Sequence, residues 1–149
     1  MTKEENDMVV KQLSVFLENE EGTVSGVFNI LKEAGINVAS CSLADTKDFG
    51  ILRILVDDAE KAKAVLKEKN VPVKETDVLA VNIPHTVGSL SGVLNALAEA
   101  DVDIKYMYGL STGKAGASIA IKVADNAAAE AALAPLAVTY YTAADFQNL

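Results

Sequence analysis

Two segments of this chain carry nearly the same sequence, 66 residues apart. The first, GTVSGVFNILKEAGINV, begins at Gly22, and the second, GSLSGVLNALAEADVDI, begins at Gly88. A repeat of this length determines how the whole chain folds. We therefore expect two copies of one structural unit. The residues that recur unchanged, named by their positions in the first copy, are Gly22, Ser25, Gly26, Val27, Asn29, Leu31, Glu33 and Ala34.

Hydrophobic periodicity predicts the same order of elements in both copies. In the first copy, QLSVFLEN alternates like a half-buried strand, and the helix after it is expected to end near Gly35. NVASCSLAD and FGILRILVDD are typical of a hairpin with TKD as its turn, AEKAKAVLKEK of a second helix, and VPVKE of a last short strand. The second copy repeats this βαββαβ order, with one residue added in STGKAG, a second helix shortened by Pro135, and VTYYTAADF closing the unit.

A βαββαβ unit of about 70 residues is ferredoxin-like. The predicted fold class is therefore α+β: two tandem ferredoxin-like units, each with an antiparallel sheet and its helices on one face. We expect the first unit at residues 1–75 and the second at 76–149. Near KETDVLAV, where the units meet in sequence, there is no linker rich in Gly, Ser or Pro.

Composition and charge narrow the class of protein. Half of the 149 residues are hydrophobic and the formal net charge is −8, so we expect a soluble globular protein. The single cysteine, Cys41, excludes an internal disulfide framework, and without a leader-like or membrane-length segment we expect a cytoplasmic protein. The second half offers only three lysines to phosphates, which argues against nucleic acid or an anionic membrane as a partner.

Catalytic motifs are not found in the sequence. His85 is the only histidine, and HExxH, CxxC and GxGxxG are missing. GLSTGKAGA fails as a phosphate loop because Tyr108 and Ala115 stand where that motif needs Gly and Ser or Thr, so a hairpin turn is favoured. We expect no catalytic residues, no metal site and no cofactor.

The turn from first strand to first helix is the polar feature that both copies share. It is ENEEGTV in the first copy and PHTVGSL in the second. Helix-start N–H groups have no partner within the helix, and glycine allows another molecule to approach them, so each turn could hold a carboxylate. The alternative is that Gly22 and Gly88 simply make turns, with Thr23 and Ser89 capping their helices. The residues alone leave both interpretations open.

The repeated unit resembles the ACT domain, a module that binds amino acids and regulates metabolic enzymes. Its amino-acid-binding signature is Asn, two residues, Gly, and then Asn fifteen positions later, which Asn19, Gly22 and Asn37 match. The second copy has His85, Gly88 and Asp103 at those positions. Both copies lack the proline that usually precedes the glycine, with Glu21 and Val87 in its place.

The resemblance implies a ligand site in which helix-start amides bind the carboxylate of an amino acid and nearby oxygens accept from its ammonium. For single residues the alternatives stay open: Asn37 and Asp103 as helix-exit turns, and His85 as an exposed strand end. Because the two loops differ, we expect one site to bind more strongly. The candidate ligand-binding residues are Asn19, Gly22, Thr23, Val24, Asn37, Val38, His85, Thr86, Val87, Gly88, Ser89, Leu90, Asp103 and Ile104.

The resulting hypothesis is a non-catalytic regulatory protein. It would bind a free amino acid at the interface of its two ACT-like units and control an enzyme of amino acid metabolism. The alternative is a constitutive small regulatory subunit of a biosynthetic synthase such as acetolactate synthase, and an enzyme is a third hypothesis. We also expect a homodimer, because strands such as VASCSLA at a sheet edge favour pairing.

Overall fold

The N-terminal repeat folds in the predicted βαββαβ order. The computed structural model describes residues 8–45 and 48–148, so the predicted TKD turn lies outside the described residues except for Asp48. The prediction of the element order is confirmed. The elements are β1 (Val10–Glu18), α1 (Thr23–Glu33), β2 (Val38–Asp45), β3 (Phe49–Val56), α2 (Ala59–Glu68) and β4 (Val73–Ile83).

The C-terminal repeat shares β4 and follows the same order, with a different end. Its helix α4 stops before Pro135, as predicted, but the closing segment VTYYTAADF is only partly a strand. Two residues pair as β7, and Ala143 then begins a short helix that buries Phe146. The elements after β4 are α3 (Ser89–Glu99), β5 (Ile104–Gly109), β6 (Ala117–Val123), α4 (Asn126–Leu133), β7 (Thr139–Tyr140) and α5 (Ala143–Gln147).

Strand β4 is continuous through the point where the repeats meet in sequence. The predicted last strand of the first copy and first strand of the second form one strand of 11 residues. Thr76 and Asp77, in the middle of this strand, fall in different compact units. Of the described residues, the first unit contains those in Lys11–Thr76 and 144–148, and the second contains those in Asp77–Ala143 and 8–10.

The sheet of the first unit is antiparallel, with β3 between β1 and β2. Leu13 lies opposite Ile54 on β1 and β3, and Leu43 lies opposite Leu52 on β2 and β3. Helices α1 and α2 cover one face of this sheet. Burying each large aliphatic side chain there contributes about 1.5–3 kcal/mol. The core comprises Leu13, Val15, Leu17, Leu52, Ile54 and Val56 from the strands and Val27, Leu31, Ala62 and Leu66 from the helices.

The second unit has the matching arrangement. Strand β6 pairs with β4 and β5, and β7 pairs with β4 at Val81 and Asn82. Helices α3 and α4 again cover one face. The core comprises Leu79, Val81, Ile83, Ile119, Ile121 and Val123 from the strands and Val93, Leu97, Ala129 and Leu133 from the helices. Among the described residues, no helix has both the length and the apolar character needed to cross a membrane.

Candidate functional site

Each repeat begins its first helix on a left-handed glycine. Gly22 has φ 85° and ψ −6° at the start of α1, and Gly88 has φ 88° and ψ −10° at the start of α3. A side chain at such a φ is unfavourable by about 1–2 kcal/mol, which explains glycine at both positions. The carbonyl groups of Gly22 and Gly88 accept the first helical hydrogen bonds, from Gly26 N and Gly92 N.

Neither of these helix starts has a side-chain cap. The alternative in which Thr23 and Ser89 cap their helices is therefore wrong. The Thr23 hydroxyl instead donates to the carbonyl oxygens of Glu18 and Glu20, at 3.1 and 3.0 Å. The Ser89 hydroxyl pairs with that of Thr86 at 2.7 Å. These bonds close the turns without covering the helix amides.

The uncovered amides can be identified individually. In α1 the Thr23 amide reaches Glu20 O at 3.4 Å, whereas within the described part of the chain no acceptor receives the N–H groups of Val24 and Ser25. The amides of Leu90 and Ser91 in α3 are likewise without an acceptor among the described residues. Each first helix thus presents two free N–H groups at the positive end of its dipole, an arrangement that favours an anion.

The second helix of each repeat, unlike the first, has a side-chain N-cap. Asp58 Oδ1 accepts from Lys61 N at 3.1 Å at the start of α2, and Asp125 Oδ1 accepts from Ala128 N at 3.1 Å at the start of α4. Such a cap is worth about 1 kcal/mol. Among the four helices α1 to α4 of the described chain, a side-chain cap is therefore missing only at the two repeated glycine turns.

A cavity of about 420 Å³ lies beside the α1 turn. One wall is apolar, from Leu17, Val24 and Leu43, and Leu43 is 56% exposed. At the hairpin side, Asn19 Nδ2 donates to Asp45 Oδ1 at 3.0 Å. The residues around this first cavity are Leu17, Glu18, Asn19, Glu20, Glu21, Thr23, Val24, Leu43, Ala44, Asp45 and Gly50.

The first cavity brings together part of the predicted site. Asn19, Thr23 and Val24 line it, and Gly22 is exposed next to them. Asn37 and Val38 lie beyond the far end of α1, whose 11 residues span about 16 Å. There Asn37 N donates to Asp57 Oδ1, and Asp57 N donates to Asn37 O, both at 3.1 Å. Within their own repeat, Asn37 and Val38 do not reach the first cavity.

A smaller cavity of about 230 Å³ lies at the α3 turn. Of the predicted residues it includes Gly88 and Ser89, whereas His85, Thr86, Val87 and Leu90 are exposed outside it. Asp103 and Ile104 lie at the far end of α3, where Asp103 Oδ2 pairs with Lys105 Nζ at 2.6 Å. The residues around this second cavity are Ile83, Pro84, Gly88, Ser89, Gly92, Val93, Leu136, Ala137 and Val138, none of them charged.

The β5–β6 hairpin is the equivalent of the β2–β3 hairpin that lines the first cavity. It does not line the second cavity and instead makes hydrogen bonds to Asn82 and Tyr141. The Tyr141 hydroxyl lies 2.6 Å from Ser118 Oγ and 2.8 Å from Thr112 Oγ1, and Asn82 Nδ2 donates to Ala115 O at 2.9 Å. A Cβ on Gly116 would lie 2.7 Å from the carbonyl oxygen of Ile83, so only glycine fits there. This polar cluster fixes the hairpin.

Sequence reasoning missed the hairpin residues of the first cavity, Leu43, Ala44, Asp45 and Gly50. They come from the end of β2 and the start of β3, more than twenty residues from the glycine turn. The signal that could have found them is the pairing of β1 with β3, which places Gly50 opposite Leu17 beside the turn.

Two βαββαβ units in one chain, each with an uncapped glycine turn, define a tandem ferredoxin-like protein. A family model described as "ACT domain pair" matches residues 8–142. The chain belongs to the ACT domain pair family, which confirms the resemblance inferred from its motifs. Among curated proteins no relative matches it.

Solved structures show the same fold. Protein BT0572 from Bacteroides thetaiotaomicron is 35% identical, with 97% of this chain and 99% of that chain covered and a TM-score of 0.88. The regulatory subunits of aspartate kinase from Thermus flavus and Thermus thermophilus, the latter ligand-free, are each 18% identical, with 86% of this chain and 90% of theirs covered. Their TM-scores are 0.63 and 0.60.

Proposed function

We propose that this protein is a regulatory amino-acid sensor, with its principal ligand site at the first cavity. The observation that carries the proposal is a pair of amides, Val24 N and Ser25 N, that have no acceptor among the described residues and lie beside a cavity of about 420 Å³. A free amino acid presents a carboxylate that such amides bind, and the cavity volume falls within the range of about 300–1,000 Å³ usual for small-molecule sites.

The other polar groups of the first cavity suit the rest of an amino acid. An α-ammonium group needs acceptors a few ångströms from the carboxylate, and the side-chain oxygens of Asn19 and Asp45 supply acceptors at the hairpin side. The apolar wall formed by Leu17, Val24 and Leu43 is available to an aliphatic side chain. The second cavity is smaller and less polar, which supports the hypothesis that the two repeats bind with unequal affinity.

The regulated partner is proposed to be an enzyme of amino acid metabolism. Support comes from the ACT domain pair family and from the two Thermus neighbours, which are regulatory subunits of aspartate kinase. In this role the chain itself is non-catalytic. An amino acid shifts the interaction with that enzyme only by its differential affinity for the free and the enzyme-bound states.

Calorimetry on the full chain with the twenty amino acids tests the ligand. Val24→Pro removes one of the free N–H groups in the first helical turn, and Glu60→Pro makes the same change at the same position of α2. We expect binding to weaken in Val24→Pro and to persist in Glu60→Pro. Equal binding by both variants would show that the α1 amides do not hold the ligand.

A pull-down with and without the bound amino acid tests the regulatory role. A partner enzyme whose recovery changes with the ligand supports the sensor. Equal recovery in both conditions would instead support the constitutive subunit that the sequence suggested as an alternative.

A further inference from the structure

The first cavity has an uneven charge. Four carboxylates surround it, from Glu18, Glu20, Glu21 and Asp45, and the described residues that line it include no Lys, Arg or His. All four of these residues are exposed. Among the described residues none of the four takes part in an ion pair. The Asn19 amide, which donates to Asp45, is neutral, so it does not balance this charge.

The second repeat shows that the fold does not need these carboxylates. At the equivalent positions, 66 residues later, the chain has Pro84, Thr86, Val87 and Ser111, and none of them is charged. Helices α1 and α3 nevertheless have the same length of 11 residues and the same left-handed start. A structural role at the turn would apply to both repeats. The four carboxylates are therefore not required to form the turn or the helix that follows it.

We propose that the first cavity selects amino acids whose side chain ends in a cation, an inference that rests on the function proposed above. The ligand carboxylate binds the Val24 and Ser25 amides, and its aliphatic stem packs against Leu17 and Leu43. Long cationic side chains bury their methylenes along apolar surface and keep the charged end among polar groups. The terminal cation then lies near the carboxylates, which would repel the side chain of an acidic amino acid.

Calorimetric titration of the full chain with L-lysine, L-ornithine, L-norleucine and L-glutamate tests this selection. L-norleucine has the aliphatic stem of lysine without the ammonium group. We expect L-lysine to bind roughly tenfold more tightly than L-norleucine at low ionic strength. One exposed charge pair raises affinity by about fivefold or less, and here several carboxylates attract the same cation. Added salt should reduce this preference.

Two double variants with the same change in net charge complete the test. Glu20→Gln with Glu21→Gln removes two carboxylates from the first cavity, and Glu33→Gln with Glu68→Gln removes two exposed ones elsewhere in the same repeat. The preference for L-lysine over L-norleucine should fall several-fold in the first variant and persist in the second.

The possible outcomes separate this inference from the proposed function. If L-norleucine or L-glutamate binds as tightly as L-lysine, cation selection is overturned while the amino-acid sensor stands. If neither these four ligands nor any other amino acid binds the folded chain, the sensor itself is overturned.

Discussion

Asn19, which directly follows β1, and Asp45 at the end of β2 are joined by a hydrogen bond of 3.0 Å from Nδ2 to Oδ1. Both residues line the first cavity, and both are exposed. Since exposed polar pairs add little stability, this bond orients two side chains at a proposed binding site more than it holds the fold.

Replacing Asn19 should therefore separate binding from stability. We expect Asn19→Ala to lower the free energy of unfolding by less than about 1 kcal/mol, measured in urea, and to weaken amino-acid binding at least severalfold, measured by calorimetry. Asn95→Ala, at an exposed asparagine on α3, is the matched control and should change neither quantity appreciably. Unchanged binding in Asn19→Ala would remove Asn19 from the site.

Two glycines four residues apart should respond in opposite directions to alanine. Gly22 has φ 85°, so Gly22→Ala should destabilise the fold by about 1–2 kcal/mol although a Cβ there meets nothing within 4 Å. Gly26 lies within α1 with equally open space, so Gly26→Ala should stabilise the fold by about 0.5–1 kcal/mol. Urea unfolding followed by circular dichroism measures both. Effects of the same sign would contradict this account of the turn.

A comparison of the residues that follow the C-terminal ends of α1 and α3 predicts a stabilising substitution. Gly35 and Asp101 are equivalent residues with φ 73° and 57°, and each donates from its amide to a carbonyl three residues earlier. Asp101 adopts this left-handed conformation at a cost that glycine does not have. We expect Asp101→Gly to raise the free energy of unfolding by about 0.5–1 kcal/mol and the reverse change, Gly35→Asp, to lower it. No gain in Asp101→Gly would show that the Asp101 carboxylate compensates the strain.

Glu130 predicts a pH dependence of stability. Burial raises the pKa of Glu130. The pKa of Tyr140 is also raised, mainly by burial and to a smaller extent by the negative charge of Glu130. The buried Tyr140 hydroxyl has no hydrogen-bond partner among the described residues. A carboxyl with a raised pKa binds its proton more tightly in the folded state. Its stabilising contribution is fully present below the unfolded value of 4.5 and is lost as pH rises through the folded value.

Glu130→Gln should therefore be more stable than the parent chain near pH 7, with a difference that shrinks as pH falls toward 4.5, the ordinary value for a glutamate. Urea unfolding at several pH values measures this difference, and Glu99→Gln, at an exposed position on α3, is the control. The absorbance titration of tyrosine should show one group ionising at lower pH in Glu130→Gln. A stability difference that does not vary with pH would contradict the role assigned to burial.

The predicted homodimer can be tested at β2. This strand pairs with β3 on one side and carries Cys41 exposed near its middle. If two copies pair through β2, Cys41→Lys places like charges close together, and the dimer should weaken in light scattering coupled to gel filtration. Met107→Lys introduces the same charge at an exposed position on β5 and should leave the dimer intact. A parent chain that elutes as a monomer would refute the prediction.

The repeat made most of the fold predictable. Alternating residues such as Leu13, Val15 and Leu17 defined strand β1, and Val27 and Leu31 defined the buried face of α1, because burial imposes these periods directly. The end of the chain was less predictable. Val138 to Tyr141 have strand propensity, but strand β7 contains only Thr139 and Tyr140, with one more backbone bond from Tyr141 N to Ala80 O. A helix that buries Phe146 begins at Ala143. Local propensity could not reveal that burial.

The residues of the candidate site that are close together in sequence were predictable, and those brought together only by the fold were not. Asn19, Thr23 and Val24 lie within six residues of one another, so a motif captured them. Leu43, Asp45 and Gly50 reach the same cavity only through strand pairing. Thr23 was open to two interpretations, as a ligand-binding residue or as a helix cap, and only the geometry shows that its hydroxyl donates to the carbonyl oxygens of Glu18 and Glu20.

Strand β4 has a practical consequence for anyone who wishes to study one repeat by itself. Since it is the last strand of one repeat and the first of the other, a backbone cleavage between the two repeats falls inside a continuous strand. A fragment ending at Thr76 and another starting at Asp77 would each expose a freshly cut strand terminus. Dissection of this protein is therefore better done by point substitution than by truncation.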